Sequence, residues 1–198
     1  MKEKFIYENE HSLCPELCED IINFFESSPH KSDGLTIGGV NKQIKDTTDL
    51  TISKSHIWTD IYECLENELK YNIQKYKSLI HGKYSDPTYN MIDDKLEATP
   101  FMVQRYIQNK GKYVYHNDFS INYSQKRFRT LTYLFYLNDV VEGGETEFFG
   151  GEIVITPKRG KLILFPSSWT FPHCGKMPIS SNKYIITGWI YTSFNNSN

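Results

Sequence analysis

Hydrophobic and polar residues alternate along most of the second half of the chain. Alternate side chains of a strand point to opposite faces, so this pattern predicts a series of half-buried strands. Glycine- and proline-bearing turns separate them. The predicted strands are 100–108, 113–116, 128–138, 146–149, 152–156, 160–165, 169–174 and 183–192. Many short strands broken by turns are typical of a sandwich or barrel, and we predict a mainly β (α+β) fold built as a double-stranded β-helix, or jelly roll.

The first half of the chain carries helical periodicity instead. Apolar residues recur at helical spacing over 13–28 and 56–80, where we predict two helices. Ser12 is a candidate cap for the first helix, and Pro15 suits its first turn. Such apolar stripes indicate core packing, so we expect both helices to lie against the outer face of the sheet.

Two polar, irregular segments complete the first half, at 29–52 and 81–98. Loops of this length in a compact domain are often functional, so we expect parts of both to face a substrate, and the pattern leaves open whether they form a lid. No linker or repeat divides the chain. We predict a single domain over 1–198, with a helical and loop support region at 1–98 and a jelly-roll core at 99–192.

Composition and charge narrow the classes of partner. The chain has 198 residues, enough for one sizeable core, and its aromatic content of 15% favours a sheet-rich fold. The formal net charge is −2, so no basic field attracts nucleic acid or an anionic membrane, and we expect neither as a partner. The oligomeric state is left open.

The cysteines and the N-terminal residues indicate a reducing compartment. The four cysteines form no CxxC pair and are most simply explained as reduced thiols. The chain starts without an apolar signal region and has no apolar run near the ~20 residues that span a bilayer. We therefore expect a cytoplasmic protein. A single alanine beside abundant Asn, Lys, Ile and Tyr points to an AT-rich genome, viral or bacterial.

Four residues carry the candidate chemistry. His116 and Asp118 are two positions apart, so both face one side of a strand, and His173 and Lys183 follow in the later strands. Two histidines and a carboxylate can occupy one face of an octahedral metal and leave the other open, as in non-haem Fe(II) oxygenases. Lys183 is a cation placed to hold the far carboxylate of 2-oxoglutarate.

Each of these residues alone has an ordinary structural explanation. A His-x-Asp pair is common on surfaces, His173 alone could be a hydrogen-bonded core histidine, and Lys183 alone a solvated charge at a strand edge. Their combination within an alternating strand pattern favours the metal site. The remaining histidines have no partner motif, and we assign them no role.

The stretch from about residue 100 to 192 resembles the 2-oxoglutarate- and Fe(II)-dependent dioxygenases, specifically their prolyl 4-hydroxylase-like branch. Three motifs carry the resemblance, and Trp189 also matches, six positions after the lysine. They are Tyr106-(x)6-Tyr113-(x)2-His116-x-Asp118, the central segment Arg129 to Thr146 with its Gly-Gly-Glu-Thr turn, and His173-Cys-Gly-Lys-Met-Pro-Ile-Ser-Ser-Asn-Lys183.

The resemblance implies a catalytic jelly-roll core that uses Fe(II), 2-oxoglutarate and O₂, with ascorbate as an optional supporting reductant. It assigns three groups of site residues. The iron ligands are His116, Asp118 and His173; the cosubstrate residues are Lys183, Tyr136 or Tyr106, Thr187 and Leu134; the substrate residues are Tyr113, Arg129 and Trp189. One departure is Tyr191, which stands where some prolyl hydroxylases have a histidine.

The expected activity is hydroxylation of a peptidyl proline, so the expected partner is a protein, a peptide or a small-molecule substrate. Asp118 argues against a halogenase, in which a small residue usually replaces that carboxylate. The alternatives are a hydroxylase of a free amino acid or small metabolite, and a non-catalytic metal-binding jelly roll. Lys183 distinguishes an oxygenase from the non-catalytic module, because a module that only binds metal needs no cation beside the metal.

Overall fold

The computed structural model describes residues 5–52, 58–84, 92 and 95–194. The described residues form two helices and sixteen strands. The helices are α1 (Pro15–Ser27) and α2 (Thr59–Tyr84). The strands are β1 (Tyr7–Asn9), β2 (Ser32–Asp33), β3 (Leu35–Thr36), β4 (Gly39–Val40), β5 (Lys45–Asp46), β6 (Thr48–Thr51), β7 (Leu96–Ala98), β8 (Met102–Tyr106), β9 (Lys112–His116), β10 (Ile121–Asn122), β11 (Arg127–Tyr136), β12 (Thr146–Phe148), β13 (Ile153–Ile155), β14 (Leu162–Pro166), β15 (His173–Gly175) and β16 (Lys183–Ser193).

Two antiparallel sheets make up the body of the fold. The major sheet has the order β1-β14-β11-β16-β8-β6-β2, with β10 added beside β11 and β7 beside β16. The minor sheet has the order β13-β12-β15-β9-β5, and β3 and β4 form a separate hairpin. The predicted jelly roll is confirmed, and each predicted strand from 100 onward overlaps an observed one.

Side-chain alternation places two separate cores on the two faces of the major sheet. In β11, Leu134 and Tyr136 point between the sheets, whereas Tyr133 and Phe135 point the other way, towards the helices. The same alternation runs through β14 and β16. This follows from the two-residue period of a strand buried on both faces. The prediction that the helices cover the outer face is confirmed.

The helices begin and end close to the predicted residues. Pro15 is at the start of α1, where its missing N–H costs nothing, but the N-cap is Cys14, without a side-chain cap bond. The Ser12 cap was therefore predicted wrongly: its hydroxyl instead donates to Glu68 of α2. The predicted start of α2 at residue 56 lies outside the described residues. Neither described helix is long and apolar enough to cross a membrane.

The segment 29–52 was predicted as irregular, and this was wrong, because it contains β2 to β6. β5 pairs with β9 at the edge of the minor sheet, while β6 pairs with β8 in the major sheet. The segment therefore joins the two sheets along one side of the interior. In the predicted segment 81–98, residues 81–84 belong to α2 and Leu96–Ala98 form β7, while 85–91 and 93–94 lie outside the described residues. The division into a support region and a core stays a prediction.

One irregularity in β11 matters for the site. Opposite β16, Arg129 pairs with Tyr191 and Leu131 with Ile190, so Thr130 is an extra residue, a β-bulge. Leu131 points towards the helices. Without the bulge Arg129 would share that face, but with it the arginine lines the cavity between the sheets.

Candidate active site

The three predicted metal ligands meet at one end of the space between the sheets. His116 ends β9 and pairs in register with His173, which begins β15. Asp118 follows two residues after His116 and returns towards the same point. Each residue offers one candidate ligand atom, and these three atoms all lie within 4.8 Å of one another. Within the described part of the chain, this is the cluster of side chains that could hold a metal ion.

Local hydrogen bonds fix the ligand atoms. The Nδ1 atoms of His116 and His173 lie 2.8 Å from the Val114 carbonyl oxygen and 3.0 Å from that of Phe171. Both Nε2 atoms therefore face Asp118, at 3.8 Å from Oδ1 for His116 and 3.5 Å from Oδ2 for His173. Backbone carbonyls that bind the second ring nitrogen are the usual way to orient a metal-binding histidine.

The protonation states also suit a cation. Burial, reinforced by His173, lowers the pKa of His116 to about 4, so its ring is neutral at pH 7. Burial alone would raise the pKa of Asp118, but the two histidines and the Thr132 hydroxyl, which donates to Oδ2 over 2.8 Å, together lower it. A neutral imidazole and an ionised carboxylate are the ligand forms that bind metal. These residues fit Fe(II), whose borderline character accepts both nitrogen and oxygen.

Lys183 lies deep in the same cavity. Its side chain is 1% exposed, and its ammonium donates to the Gly144 carbonyl over 2.8 Å. Among the described residues no carboxylate lies within ion-pair distance of it. Burial lowers the pKa of Lys183 to about 7, partly opposed by Glu145. Gly144 has a φ of +76° in the Gly-Gly turn, a conformation that suits glycine and brings its carbonyl to the lysine.

The other predicted cosubstrate residues surround Lys183 unevenly. The Tyr106 ring lies 4.2 Å from the lysine ammonium, measured to the ring centroid. Thr187 and Leu134 line the cavity, although the Thr187 hydroxyl donates to the Tyr133 carbonyl. Tyr136 lies behind the wall, and its hydroxyl donates to Thr146 Oγ1 over 2.7 Å, so Thr146 rather than Tyr136 meets the cavity.

The three predicted substrate residues lie near the metal ligands. Tyr113 stacks on His116 with 3.5 Å between the ring centroids. The Arg129 guanidinium lies 3.5 Å from the centre of the Trp189 ring, and its Nε donates to the Tyr191 hydroxyl over 3.0 Å. The structural alternative for Arg129, an ion pair with a carboxylate such as Glu145 or Glu147, is not present among the described residues.

All of the predicted site residues except Tyr136 line one cavity of about 580 Å³. That volume is in the range of pockets that enclose a small ligand. Several polar side chains of its wall were missed by the sequence analysis. They are Lys45, Asp49, Gln104, Thr132 and Thr146. The alternation of Asp49, Leu50, Thr51 and Ile52, with Leu50 and Ile52 buried, was the available signal for part of this wall.

Comparison with known proteins agrees with this geometry. A family model described as "2OG-Fe(II) oxygenase superfamily" matches residues 101–191. No curated protein sequence is significantly similar to the chain. Residues 101–191 are therefore similar to the 2OG-Fe(II) oxygenase superfamily, and together with the His-Asp-His cluster this match shows a dioxygenase that uses Fe(II) and 2-oxoglutarate. The predicted enzyme class and the predicted use of Fe(II) and 2-oxoglutarate are confirmed.

Solved prolyl hydroxylases share the fold. A viral collagen prolyl hydroxylase from Paramecium bursaria Chlorella virus-1, solved as its 2OG complex, is 20% identical, with a TM-score of 0.67 over 96% of this chain and 97% of that one. A prolyl hydroxylase from Trichoplax adhaerens, in complex with a hypoxia inducible factor peptide fragment, is 22% identical, with a TM-score of 0.69 over 95% and 84%. A Pseudomonas putida prolyl-4-hydroxylase is 18% identical, with a TM-score of 0.62 over 93% and 91%.

Proposed function

We propose that the protein hydroxylates a peptidyl proline, with His116, Asp118 and His173 as iron ligands and Lys183 as the cosubstrate cation. The observation that carries the proposal is Lys183, a buried ammonium that shares a cavity with the ligand triad and has no carboxylate partner among the described residues. A buried cation in such a place is costly unless an anion arrives to pair with it. A metal-binding module without a cosubstrate would gain nothing from it.

Fe(II), when bound by the triad, supplies the redox chemistry that couples decarboxylation of 2-oxoglutarate to oxygen transfer. The chain's own contribution is geometry. The carbonyls of Val114 and Phe171 hold both imidazoles in one orientation, and Thr132 holds the Asp118 carboxylate. His116, Asp118 and His173 would hold the metal with three protein groups, which leaves it free to bind further ligands.

The cosubstrate would bind with its distal carboxylate at Lys183. The ammonium has three N–H donors, and the Gly144 carbonyl uses one of them. The Thr146 hydroxyl accepts from Tyr136, so its own proton is left to donate into the cavity. In this proposal Tyr136 orients Thr146, while Tyr106, Thr187 and Leu134 shape the wall.

The substrate would bind on the Arg129 side of the metal ligands. Support comes from Trp189, whose buried Nε1 finds no acceptor within the described part of the chain, and from Arg129, whose guanidinium lies against the Trp189 ring in the same cavity. Both are donors that a peptide carbonyl could satisfy. The peptide complex of the Trichoplax adhaerens relative supports a polypeptide substrate.

The test is turnover of 2-oxoglutarate with a blocked proline-rich peptide. We expect peptide-stimulated succinate formation and a product heavier by one oxygen atom. His173→Ala should abolish both, because two ligands do not fix the metal, while His11→Ala, at an exposed histidine, should not. Full activity of a folded His173→Ala protein would remove that residue from the site. Absence of hydroxylated product with every proline-containing peptide would contradict the proline assignment alone.

We also propose that the protein works in a reducing, cytoplasmic compartment. All four cysteines lie in described residues and are free thiols. Cys18 and Cys174 are buried, and burial raises the pKa of both thiols, Cys18 to about 11, so neither is poised for disulfide exchange.

A further inference from the structure

A buried ion pair lines the same cavity as the proposed cosubstrate lysine. Lys45 Nζ lies 2.7 Å from Asp49 Oδ2, and the two side chains are 4% and 7% exposed. Asp49 also accepts from the Thr47 hydroxyl over 2.7 Å and from Gln104 Nε2 over 3.1 Å. The carboxylate therefore accepts three hydrogen bonds within the fold, one of them from Lys45.

The pair connects the two sheets where the segment 29–52 crosses between them. Lys45 is on β5 of the minor sheet, whereas Asp49 is on β6 of the major sheet. A cross-sheet staple is one explanation. However, buried ion pairs contribute little net stability, and apolar residues of similar volume often replace them without loss. Stability alone therefore does not account for a charged pair in the wall of this cavity.

The position of Lys45 points to the substrate side. Its ammonium lies 5.6 Å from the centre of the Tyr113 ring, which in turn stacks on His116. It also contacts the Leu35 carbonyl at 3.5 Å. Of its three N–H donors, the described partners use two, Asp49 and Leu35. One donor remains beside the aromatic ring that adjoins the metal ligands.

We propose that Lys45 is a specificity-determining residue that binds a carbonyl or carboxylate oxygen of the substrate, and that Asp49 is the positioning residue that aims it. The proposal rests on the proposed function, since it deepens the substrate side of that site. With Arg129 as a second donor, the cavity would bind two oxygen atoms of one substrate. Those atoms would be successive backbone carbonyls of a peptide, or the carboxylate of a free amino acid.

The experiment compares substrate KM values in variants that keep the wall folded. The double variant Lys45→Met/Asp49→Asn removes the donor without leaving a buried unpaired charge, and Lys45→Gln/Asp49→Asn keeps an N–H donor as a conservative rescue. In the methionine variant we expect the substrate KM to rise about tenfold relative to the KM for 2-oxoglutarate, which is ~1.4 kcal/mol, with a smaller rise in the glutamine variant. The Tm should stay near that of the wild type. Lys42→Met, which breaks an exposed ion pair with Asp33 in the same segment, is the matched control and should not change either KM.

Two probes identify the source of the oxygen. A blocked proline-rich peptide offers carbonyls without a carboxylate, and free L-proline offers a carboxylate, so the probe whose KM rises shows which is bound. If Lys45→Met/Asp49→Asn keeps a wild-type KM ratio, the pair is only structural and the inference is overturned. If the wild-type protein turns over neither probe, the proposed function fails first, and the inference fails with it.

Discussion

Two buried lysines line the same cavity, but they differ in what surrounds their charge. Lys45 is held by Asp49, Leu35 and the ring of Tyr113. Lys183 has the Gly144 carbonyl and the Tyr106 ring, and no carboxylate partner among the described residues. The charge of one lysine is compensated within the fold, whereas the charge of the other is compensated only when an anion binds.

The difference separates two uses of a buried cation. A compensated lysine can order a wall and offer a directed donor without attracting anions strongly. An uncompensated lysine destabilises the folded protein and recovers that free energy when its ligand arrives, which makes it selective for an anion. On the proposed function, Lys183 would make the cavity selective for an anion, and Lys45 and Arg129 would supply directed hydrogen-bond donors.

The largest expected difference between the two lysines is in stability. Lys45→Met leaves Asp49 buried without its cation and should lower the free energy of unfolding by about 3 kcal/mol. Lys183→Met should raise it. Burial lowers the pKa of Lys183 from 10.5 to about 7, so the charge penalises the folded state at pH below 10.5, most fully below pH 7. Urea unfolding of both variants at pH 6.5 measures this, and equal losses would contradict the distinction.

The affinity for 2-oxoglutarate should depend on Lys183. Lys183→Ala removes a charge-assisted hydrogen bond that contributes about 1.5–3 kcal/mol, so the Kd should rise about tenfold to a hundredfold. Calorimetric titration of the Mn(II)-loaded protein measures binding without turnover. Lys42→Met serves as the control for loss of a lysine. An unchanged Kd in Lys183→Ala would exclude the lysine from the cosubstrate site.

The pH dependence of the same binding should reveal the uncompensated charge. Because the ligand needs a protonated Lys183, affinity should be nearly constant below pH 7 and fall about tenfold per pH unit above it. Binding near pH 8 should also take up a proton, which calorimetry in buffers of different ionisation enthalpy detects. Lys183→Arg keeps its charge throughout. If the affinity of Lys183→Arg for 2-oxoglutarate fell with pH at the same slope, a group other than Lys183 would be responsible for the pH dependence.

The smallest expected effect concerns the orientation of the Arg129 guanidinium. Tyr191→Phe removes the hydroxyl that accepts from Arg129 Nε over 3.0 Å, a bond that contributes about 0.5–1.5 kcal/mol. The substrate KM should rise about threefold to tenfold relative to the KM for 2-oxoglutarate. Tyr123→Phe, at an exposed tyrosine, is the matched control. Equal changes in both KM values would indicate general loosening of the wall.

The sequence predicted the candidate metal ligands and the strands because both follow from short-range residue patterns. The His-x-Asp spacing places two ligands on one strand end, and alternation in β11, β14 and β16 marks buried strands. The placement of His173 beside His116 needed the pairing of β15 with β9, which spacing alone does not determine. The family resemblance supplied it.

The wall around Lys45 could not be predicted in the same way. β5 and β6 are two and four residues long, and their pairings with β9 and β8 join residues more than fifty positions apart along the chain. The Lys45–Asp49 spacing of four residues is also the spacing of an ordinary helical surface pair. Only the crossing between the sheets turns it into a buried pair, and no local pattern indicates that crossing.

The bulge at Thr130 reverses the alternation of side-chain direction within a single strand. After it, even-numbered residues such as Thr132 and Leu134 face the cavity and odd-numbered ones face the helices; before it, the odd-numbered Arg129 faces the cavity. The part of β11 before the bulge, which contains Arg129, therefore has the opposite inward and outward alternation from the part after it. Residues near the metal could therefore diverge to suit new substrates while the alternation that packs the hydrophobic core is left intact.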